Sequence, residues 1–181
     1  MACDINLGRL EPCKDSVGGI TAIYVGGAYT PGLLNAPSDG GVTIVGDEIT
    51  AFAAPLTFYK YDLKGANSFD QANENSRENG TSFWTQTGTV VLKKQDKATT
   101  AQLKLLSYGR PQIIIEDYNG NYYLAGIENG VEVAVSTATG SGMGDLNGYN
   151  LVLTGNEKSP ANFILATIIG DTTNTVIVLG T

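Results

Sequence analysis

Residues 67–94 read NSFDQANENSRENGTSFWTQTGTVVLKK, and this stretch predicts two long strands joined at the Asn79–Gly80 pair. Asn-Gly is the strongest short-range hairpin signal, because a two-residue type I′ turn requires positive φ at both of its central residues. On the second strand, Trp84, Val90 and Leu92 share one face. We expect the apolar pair Val90 and Leu92 to anchor the base of the hairpin in a core.

The first strand of this hairpin has no apolar face. Its side chains alternate between two largely polar sets, one with Phe69, Gln71, Asn73, Asn75 and Arg77 and the other with Asp70, Ala72, Glu74, Ser76 and Glu78. A half-buried strand should instead alternate apolar and polar residues, and a lone hairpin is marginally stable in water. We therefore expect other copies of the same chain to complete the sheet.

Composition favours one mainly β domain over residues 1–181. The chain is 42% hydrophobic and only 16% charged, with 23 Gly, a mixture typical of β-branched strands joined by glycine-rich turns. Residues 1–19 read as an irregular N-terminal arm, and the Pro- and Gly-rich residues 26–41 read as a long loop. About ten strands and one packing helix predict a β-sandwich or barrel-like domain.

The predicted helix spans residues 97–108. Asp96 is placed to act as its N-cap, and Gly109 occupies the position of a C′ glycine. A second hairpin is predicted at Asn119–Gly120, where two apolar runs meet at another Asn-Gly pair.

Charge and hydropathy limit the partners. The net charge is −7 and the sequence holds no Lys/Arg run, which argues against a sequence-reading grip on nucleic acid. There is no apolar run of spanning length and no secretory signal pattern, so we expect folding in the cytoplasm and no membrane partner.

Catalytic and metal chemistry find little support. The chain has no His, which removes Ser-His-Asp and Cys-His arrangements. The carboxylate pairs Asp47/Glu48 and Glu116/Asp117 are typical of solvated turn charges. Cys3 and Cys13 make a poor zinc site, and we expect two small buried thiols. We predict no enzyme and no cofactor.

Several segments together resemble the tail tube (major tail) proteins of tailed bacteriophages: MACDINLGRLEPCKDSVGGITAIYV, ENGTSFWTQTGTVVLKK, KLLSYGRP, EDYNGN and MGDLNGY…LTGNEKSPANF. The resemblance implies a virion structural protein, assembled in the host cytoplasm. Six copies would form a ring in which hairpins build a continuous 24-stranded inner barrel, and stacked rings would form the conduit for genome delivery. Its partners would be itself, other tail proteins such as sheath, baseplate or terminator, and double-stranded DNA passing without specific binding.

Site residues follow from that resemblance and from the strand pattern. We expect Asp70, Glu74 and Glu78 to face the lumen, where negative charge would keep DNA from sticking. The candidate inter-subunit residues of the hairpin are Asn73, Asn75, Arg77, Asn79, Gly80, Phe83 and Trp84. The candidate contacts between rings are Arg9, Lys14, Tyr29, Leu33 and Leu34.

Three alternatives remain open. A head–tail joining or tail-terminator protein can share this general fold but should stop at one ring. A carbohydrate-binding β-sandwich of the virion surface could use Trp84, Tyr122, Tyr123 and Tyr149 as stacking faces. A hydrolase would depend on Glu116 or Asp117.

Overall fold

A computed structural model describes residues 7–10, 13–27 and 41–180. Within these ranges the fold is mainly β, with one α-helix and a short 3-10 helix at Ala166–Ile168, which confirms the predicted fold class at that level. The strands and the helix are β1 (Ile20–Gly26), β2 (Val42–Val45), β3 (Glu48–Phe52), β4 (Leu56–Asp62), β5 (Ser68–Ser76), β6 (Thr81–Lys93), α1 (Lys97–Leu106), β7 (Ile113–Asp117), β8 (Tyr122–Ala125), β9 (Glu132–Ala138), β10 (Gly148–Glu157), β11 (Asn162–Ile164) and β12 (Thr175–Leu179).

The strands form two sheets. The larger has eight strands in the order β12-β4-β1-β7-β8-β11-β3-β2, and the smaller has four in the order β5-β6-β10-β9. Neighbouring strands are antiparallel throughout the small sheet, whereas β11 lies parallel to β3 and β12 parallel to β4 in the large one. The predicted hairpin is therefore the β5–β6 edge of the small sheet.

One core joins the two sheets. Ile23 and Ile115 of the large sheet lie in the same buried cluster as Val90 and Leu151 of the small sheet, each at 1% exposure or less. Leu103 of α1 belongs to this cluster as well. Full burial of an aliphatic side chain stabilises a fold by about 1.5–3 kcal/mol. This core therefore fixes one face of the small sheet, and the predicted anchoring role of Val90 is confirmed.

The large sheet curls around a second core. Phe52 of β3 and Phe58 of β4 lie far apart in strand order, yet their ring centroids are 6.5 Å apart. Ile114 of β7 points into this second cluster, while Ile113 and Ile115 point into the first. A strand buried on both faces reads as a continuous apolar run, which is how Ile113–Asp117 begins.

The helix begins as predicted and ends earlier. The Asp96 carboxylate accepts a hydrogen bond of 2.7 Å from the Thr99 N–H, which confirms the N-cap. The C-cap is Ser107, and Gly109 does not adopt a positive φ, so the predicted end at residue 108 and the C′ role of Gly109 are wrong. The last turn closes through Ser107 and Tyr108, whose N–H groups donate to the carbonyls of Leu103 and Leu105.

The turn of the main hairpin also differs from the prediction. Ser76 pairs with Thr81, so the loop contains four residues, 77–80, rather than two. Only Gly80 has a positive φ, of 62°, and Asn79 does not. A type I′ turn needs both, so the hairpin was predicted correctly but its turn type was wrong.

Candidate interaction surface on the four-stranded sheet

The hairpin pairs with another strand of the same chain, β10. β6 pairs with β10 from Lys93 opposite Gly148 to Trp84 opposite Glu157. The strand that completes the sheet beside β6 therefore comes from the same chain, where the sequence pattern had favoured other copies. The apolar face that β5 lacks is supplied by β10, on which Leu151 and other inward side chains are buried.

The outer face of the small sheet is turned away from the core and is rich in hydroxyl, amide and acidic groups. Val152 and Phe83 interrupt this polar surface and are 43% and 40% exposed. By strand alternation and the observed register, the outer face consists of Ser68, Asp70, Ala72, Glu74 and Ser76 of β5, Thr81, Phe83, Thr85, Thr87, Thr89, Val91 and Lys93 of β6, Asn150, Val152, Thr154 and Asn156 of β10, and Glu132, Ala134, Ser136 and Ala138 of β9. We call this set the outer face.

Acidic charge on the outer face comes mainly from β5. Asp70 and Glu74 are both exposed on it, as the strand pattern predicts. Glu132 on β9 is paired with Arg110, whose Nη2 lies 2.8 Å from the Glu132 carboxylate. Lys93 lies at the opposite end of β6 from the hairpin turn. Asp70 and Glu74 therefore carry the net negative charge of this surface.

Glu78 does not lie on a strand. It is exposed in the four-residue turn 77–80, together with Arg77, Asn79 and Gly80. The predicted shared face of Glu78 with Asp70 and Glu74 is wrong, because the strand ends at Ser76 and the alternation stops there.

The remaining predicted hairpin residues divide between the two faces. Phe83 lies opposite Glu74 on the outer face, and Trp84 lies opposite Asn73 on the inner face, where it is half-buried. The Asn73 amide donates to the Phe83 carbonyl at 3.2 Å, and the Asn75 amide donates to Asn73. These side chains thus form a polar ladder along the inner side of the hairpin beyond the core.

The predicted contacts between rings are only partly described. Arg9 and Lys14 are exposed on the arm, whose described residues 7–10 and 13–19 form neither helix nor strand. Tyr29, Leu33 and Leu34 lie outside the described residues. Leu7 and Leu10 on the same arm are 84% and 91% exposed. Cys13 is also exposed, so its predicted burial is wrong, because the arm does not pack on the domain at that point.

Hydrogen bonds to loop backbone explain why the sequence of the hairpin is polar on its inner face as well as on its outer face. Gln71 accepts a hydrogen bond of 2.7 Å from the Ala161 N–H, and Gln86 accepts one of 3.0 Å from the Gly126 N–H. Gln86 is 2% exposed. Long amides at these inward positions accept hydrogen bonds from the backbone of loops, a role that a binary apolar/polar pattern does not reveal.

Glu157 completes this buried polar row. Its carboxylate is 2% exposed and accepts hydrogen bonds from the backbone N–H groups of Asn129, at 2.8 Å, and of Glu128, at 3.2 Å. Burial raises the pKa of Glu157, and the nearby Glu128 charge adds to this, against the opposing effect of the two N–H donors.

Glu157→Gln is expected to change the pH dependence of stability. Because the folded-state pKa is raised, the contribution of Glu157 is fully present below the ordinary Glu pKa of about 4.3 and is lost as pH rises through the folded value. The wild type should therefore lose stability relative to the variant as pH increases above about 4.3. Urea midpoints from pH 4 to 8 measure this, with exposed Glu74→Gln as control. Parallel profiles for wild type and Glu157→Gln would contradict it.

The carboxylates considered for catalysis are held by structural hydrogen bonds. Glu116 accepts bonds from the hydroxyls of Tyr24, at 2.6 Å, and of Tyr122, at 3.3 Å. Burial raises the pKa of Asp117, but hydrogen bonds from Asn121 and Asn119 outweigh this and lower it overall. Each carboxylate thus stabilises the β7–β8 hairpin. The described residues bring together no cluster of metal-ligating side chains.

The aromatic residues considered for sugar binding do not form a common platform. Tyr149 is 1% exposed, and its hydroxyl contacts Thr100 at 2.6 Å and the Asp96 carbonyl at 3.0 Å. Its predicted role as a stacking face is wrong, because it faces inward on β10 and ties the helix N-terminus to the sheet.

Backbone groups at the two edges of the small sheet follow a fixed alternation. The Val91 N–H donates to Asn67, beside β5, and the Lys94 N–H donates to Asn147, beside β10, so odd-numbered residues of β6 face β5. Carrying this alternation through the register, the N–H and C=O groups at the free edges belong to Phe69, Gln71, Asn73 and Asn75 of β5 and to Val133, Val135 and Thr137 of β9. Across the described ranges, no other strand bonds to either edge.

No helix in the described part of the chain has both the length and the apolar character needed to cross a membrane. Comparison with protein families, curated proteins and solved structures finds no match to this chain.

Proposed function

We propose that this chain is a self-assembling virion structural protein, the subunit of a phage tail tube. The observation that carries the proposal is the small sheet, which has one face in the core, one polar outer face and two edges that no other strand of the described ranges pairs with. Long exposed edge strands invite pairing with another chain, and soluble monomers normally block them. A closed barrel removes such edges altogether.

The strand count suits ring closure. The order β5-β6-β10-β9 is antiparallel with an even number of strands, so β5 and β9 run in opposite directions. β9 of one copy can then pair antiparallel with β5 of the next, which is a head-to-tail contact that closes into a ring. Six copies with four strands each would give about 24 strands, the number that the sequence resemblance implies.

The outer face suits a wet lumen. Large barrels enclose water and need no apolar side chains on the inner wall. With Asp70 and Glu74 exposed in each copy, a ring of six would present about twelve carboxylates to the channel. Repulsion between this wall and DNA phosphates would keep the duplex from adhering.

The exposed arm suits contacts beyond the ring. Leu7 and Leu10 are apolar side chains with no cover in the described chain, and Arg9 and Lys14 are exposed beside them. Contact with a neighbouring ring would bury this apolar surface.

Negative-stain electron microscopy of the purified protein tests the proposal. Long hollow tubes support a tail tube subunit, single rings support the alternative of a head–tail joining or terminator protein, and monomers at high concentration contradict both. The protein should be imaged across a concentration series, because ring and tube formation obey mass action.

Reversing the lumen charge is expected to slow genome release without preventing assembly. Asp70→Lys with Glu74→Lys would replace repulsion by attraction for phosphates, which is a screened, salt-dependent effect. DNA release from reconstituted virions should be slower than for wild type, most strongly at low salt.

The matched control is Asp62→Lys, which reverses an exposed charge on β4 outside the outer face. Equal release rates for the double variant and this control, with tubes intact, would contradict the electrostatic role of the outer face.

A further inference from the structure

We infer that β9 of one copy pairs with β5 of the next in a single register, with Ala134 opposite Glu74 and Glu132 opposite Ser76 of the neighbouring copy. This inference rests on the proposed function, because it takes the occupant of the free edge to be a second copy of this chain. It assigns the residues of the contact, which ring closure alone leaves open.

The first limit on the register is that the outer face must stay continuous from one copy to the next. A row across the sheet runs through Asp70, Thr87, Thr154 and Glu132, all on the outer face. With no shift between copies, Glu132 would meet the neighbour's Asp70. A shift by an odd number of residues would turn polar outer-face positions toward the core, so only even shifts keep the two faces continuous.

Hydrogen bonding between the two edges also requires an even shift. The free N–H and C=O groups belong to odd-numbered residues on both edges, such as Asn73 on β5 and Val135 on β9. Only an even shift places these residues opposite one another, so that both edges bond at the same positions.

Strand length excludes the unshifted arrangement. Opposite the seven residues of β9, a zero shift would place only Ser68, Phe69 and Asp70 of the neighbour's β5. Shifts of four or six residues toward the hairpin turn place β5 opposite all seven. Strands within the sheet are already staggered in this direction, since β9 begins at Glu132, in the row of Asp70, while β5 continues past that row to Ser76.

The strand tilt of a closed barrel restricts the possible shifts further, and this restriction does not depend on the number of copies. The shift per copy divided by the width of four strands gives the tangent of the strand tilt, with about 3.3 Å per residue and about 4.8 Å between strands. Shifts of two, four, six and eight residues give tilts of about 19°, 35°, 46° and 54°, whereas closed barrels tilt by about 35–45°. Four and six are therefore the compatible values.

Charge selects between them. A shift of four puts Glu132 directly opposite the neighbour's Glu74, and like charges facing each other across a strand pair are destabilising. The ion pair of Glu132 with Arg110 offsets little of this repulsion, because both side chains are exposed. A shift of six puts Glu132 opposite Ser76, Ala134 opposite Glu74 and Ala138 opposite Asp70. No two carboxylates then face each other across the contact.

Cysteine cross-linking tests this register. In full-length protein carrying Cys3→Ser and Cys13→Ser, Ala134→Cys is combined with Glu74→Cys or, as the matched comparison, with Ala72→Cys. Directly opposite, non-hydrogen-bonded pairs have Cα atoms close enough for a disulfide, whereas pairs displaced by two residues do not. Assembled, oxidised Ala134→Cys/Glu74→Cys protein should give a non-reducing ladder from dimer upward, at least tenfold more intense than the Ala72→Cys combination.

The outcomes separate the two claims. Wild-type protein that forms neither tubes nor rings overturns the proposed function. Assembled protein that links through Ala72→Cys rather than Glu74→Cys overturns this register. Amide exchange in the wild type provides a second measurement free of substitutions. Val133, Val135 and Thr137 should become protected on assembly, and unchanged exchange there overturns edge pairing.

Discussion

Asn73→Pro is expected to leave the monomer folded and to abolish tube formation. The alternation through β6 places the Asn73 N–H on the free edge of β5, so proline removes no hydrogen bond within the chain. Edge strands accept proline at such positions. In the assembly, the same change leaves a partner carbonyl unpaired, at about 1–3 kcal/mol per contact. That weakens each contact by about fivefold to 150-fold, and every contact in the ring is affected.

Asn73→Ala is the matched control. It removes the side-chain amide that bonds to the Phe83 carbonyl and to Ser82, but it keeps the backbone N–H. Sedimentation and electron microscopy should show tubes for Asn73→Ala and monomers for Asn73→Pro, with similar circular dichroism for both. Tubes of Asn73→Pro would show that this edge is not buried on assembly. An unfolded Asn73→Pro monomer would show that the N–H faces β6.

Local signals in the sequence predicted the elements that depend on neighbouring residues. The Asn79–Gly80 pair predicted a hairpin and Asp96 predicted the start of the helix, because each depends on interactions within a few residues. The apolar character of Val90 predicted the anchored base of β6, although the core that buries Val90 is built from distant strands. The turn type was wrong because the Asn-Gly signal cannot distinguish a two-residue loop from the four-residue loop 77–80.

Pairings between distant segments could not be predicted in this way. The partner of β6 is β10, more than fifty residues further along the chain, and no turn residue marks it. Its alternation of Leu151 with Val152 and Thr154 resembles that of any half-buried strand. Because the sequence did not show the pairing with β10, it offered no strand within the chain to complete the sheet, and other copies were the expected source.

The polar residues on the inner face of the hairpin led to a wrong expectation for a different reason. Gln71, Gln86 and Glu157 point inward, and each accepts a hydrogen bond from the backbone of a loop. A periodicity argument assigns such residues to solvent, because it assumes that inward means apolar. Asp70 and Glu74 do share one exposed face of β5, as the sequence pattern predicts, since alternation along one strand fixes their shared face.

Gly148→Ala is expected to destabilise the domain strongly, because the backbone of β6 leaves no room for a Cβ at the start of β10. A Cβ at Gly148 would lie 2.1 Å from the Leu92 carbonyl oxygen and 3.2 Å from the Lys93 Cα. Both obstacles are backbone, so relief requires the two strands to separate where the ladder starts. Overpacking of this kind costs about 3 kcal/mol, which should lower Tm by about 6–12 °C in a domain of this size.

Gly144→Ala is the control within the same glycine-rich loop, since its Cβ would meet nothing within 4 Å and its φ is not positive. Thermal melts should therefore separate the two variants clearly. Equal Tm values would contradict the close approach at Gly148 and, with it, the register of β6 and β10 from which the outer face is derived.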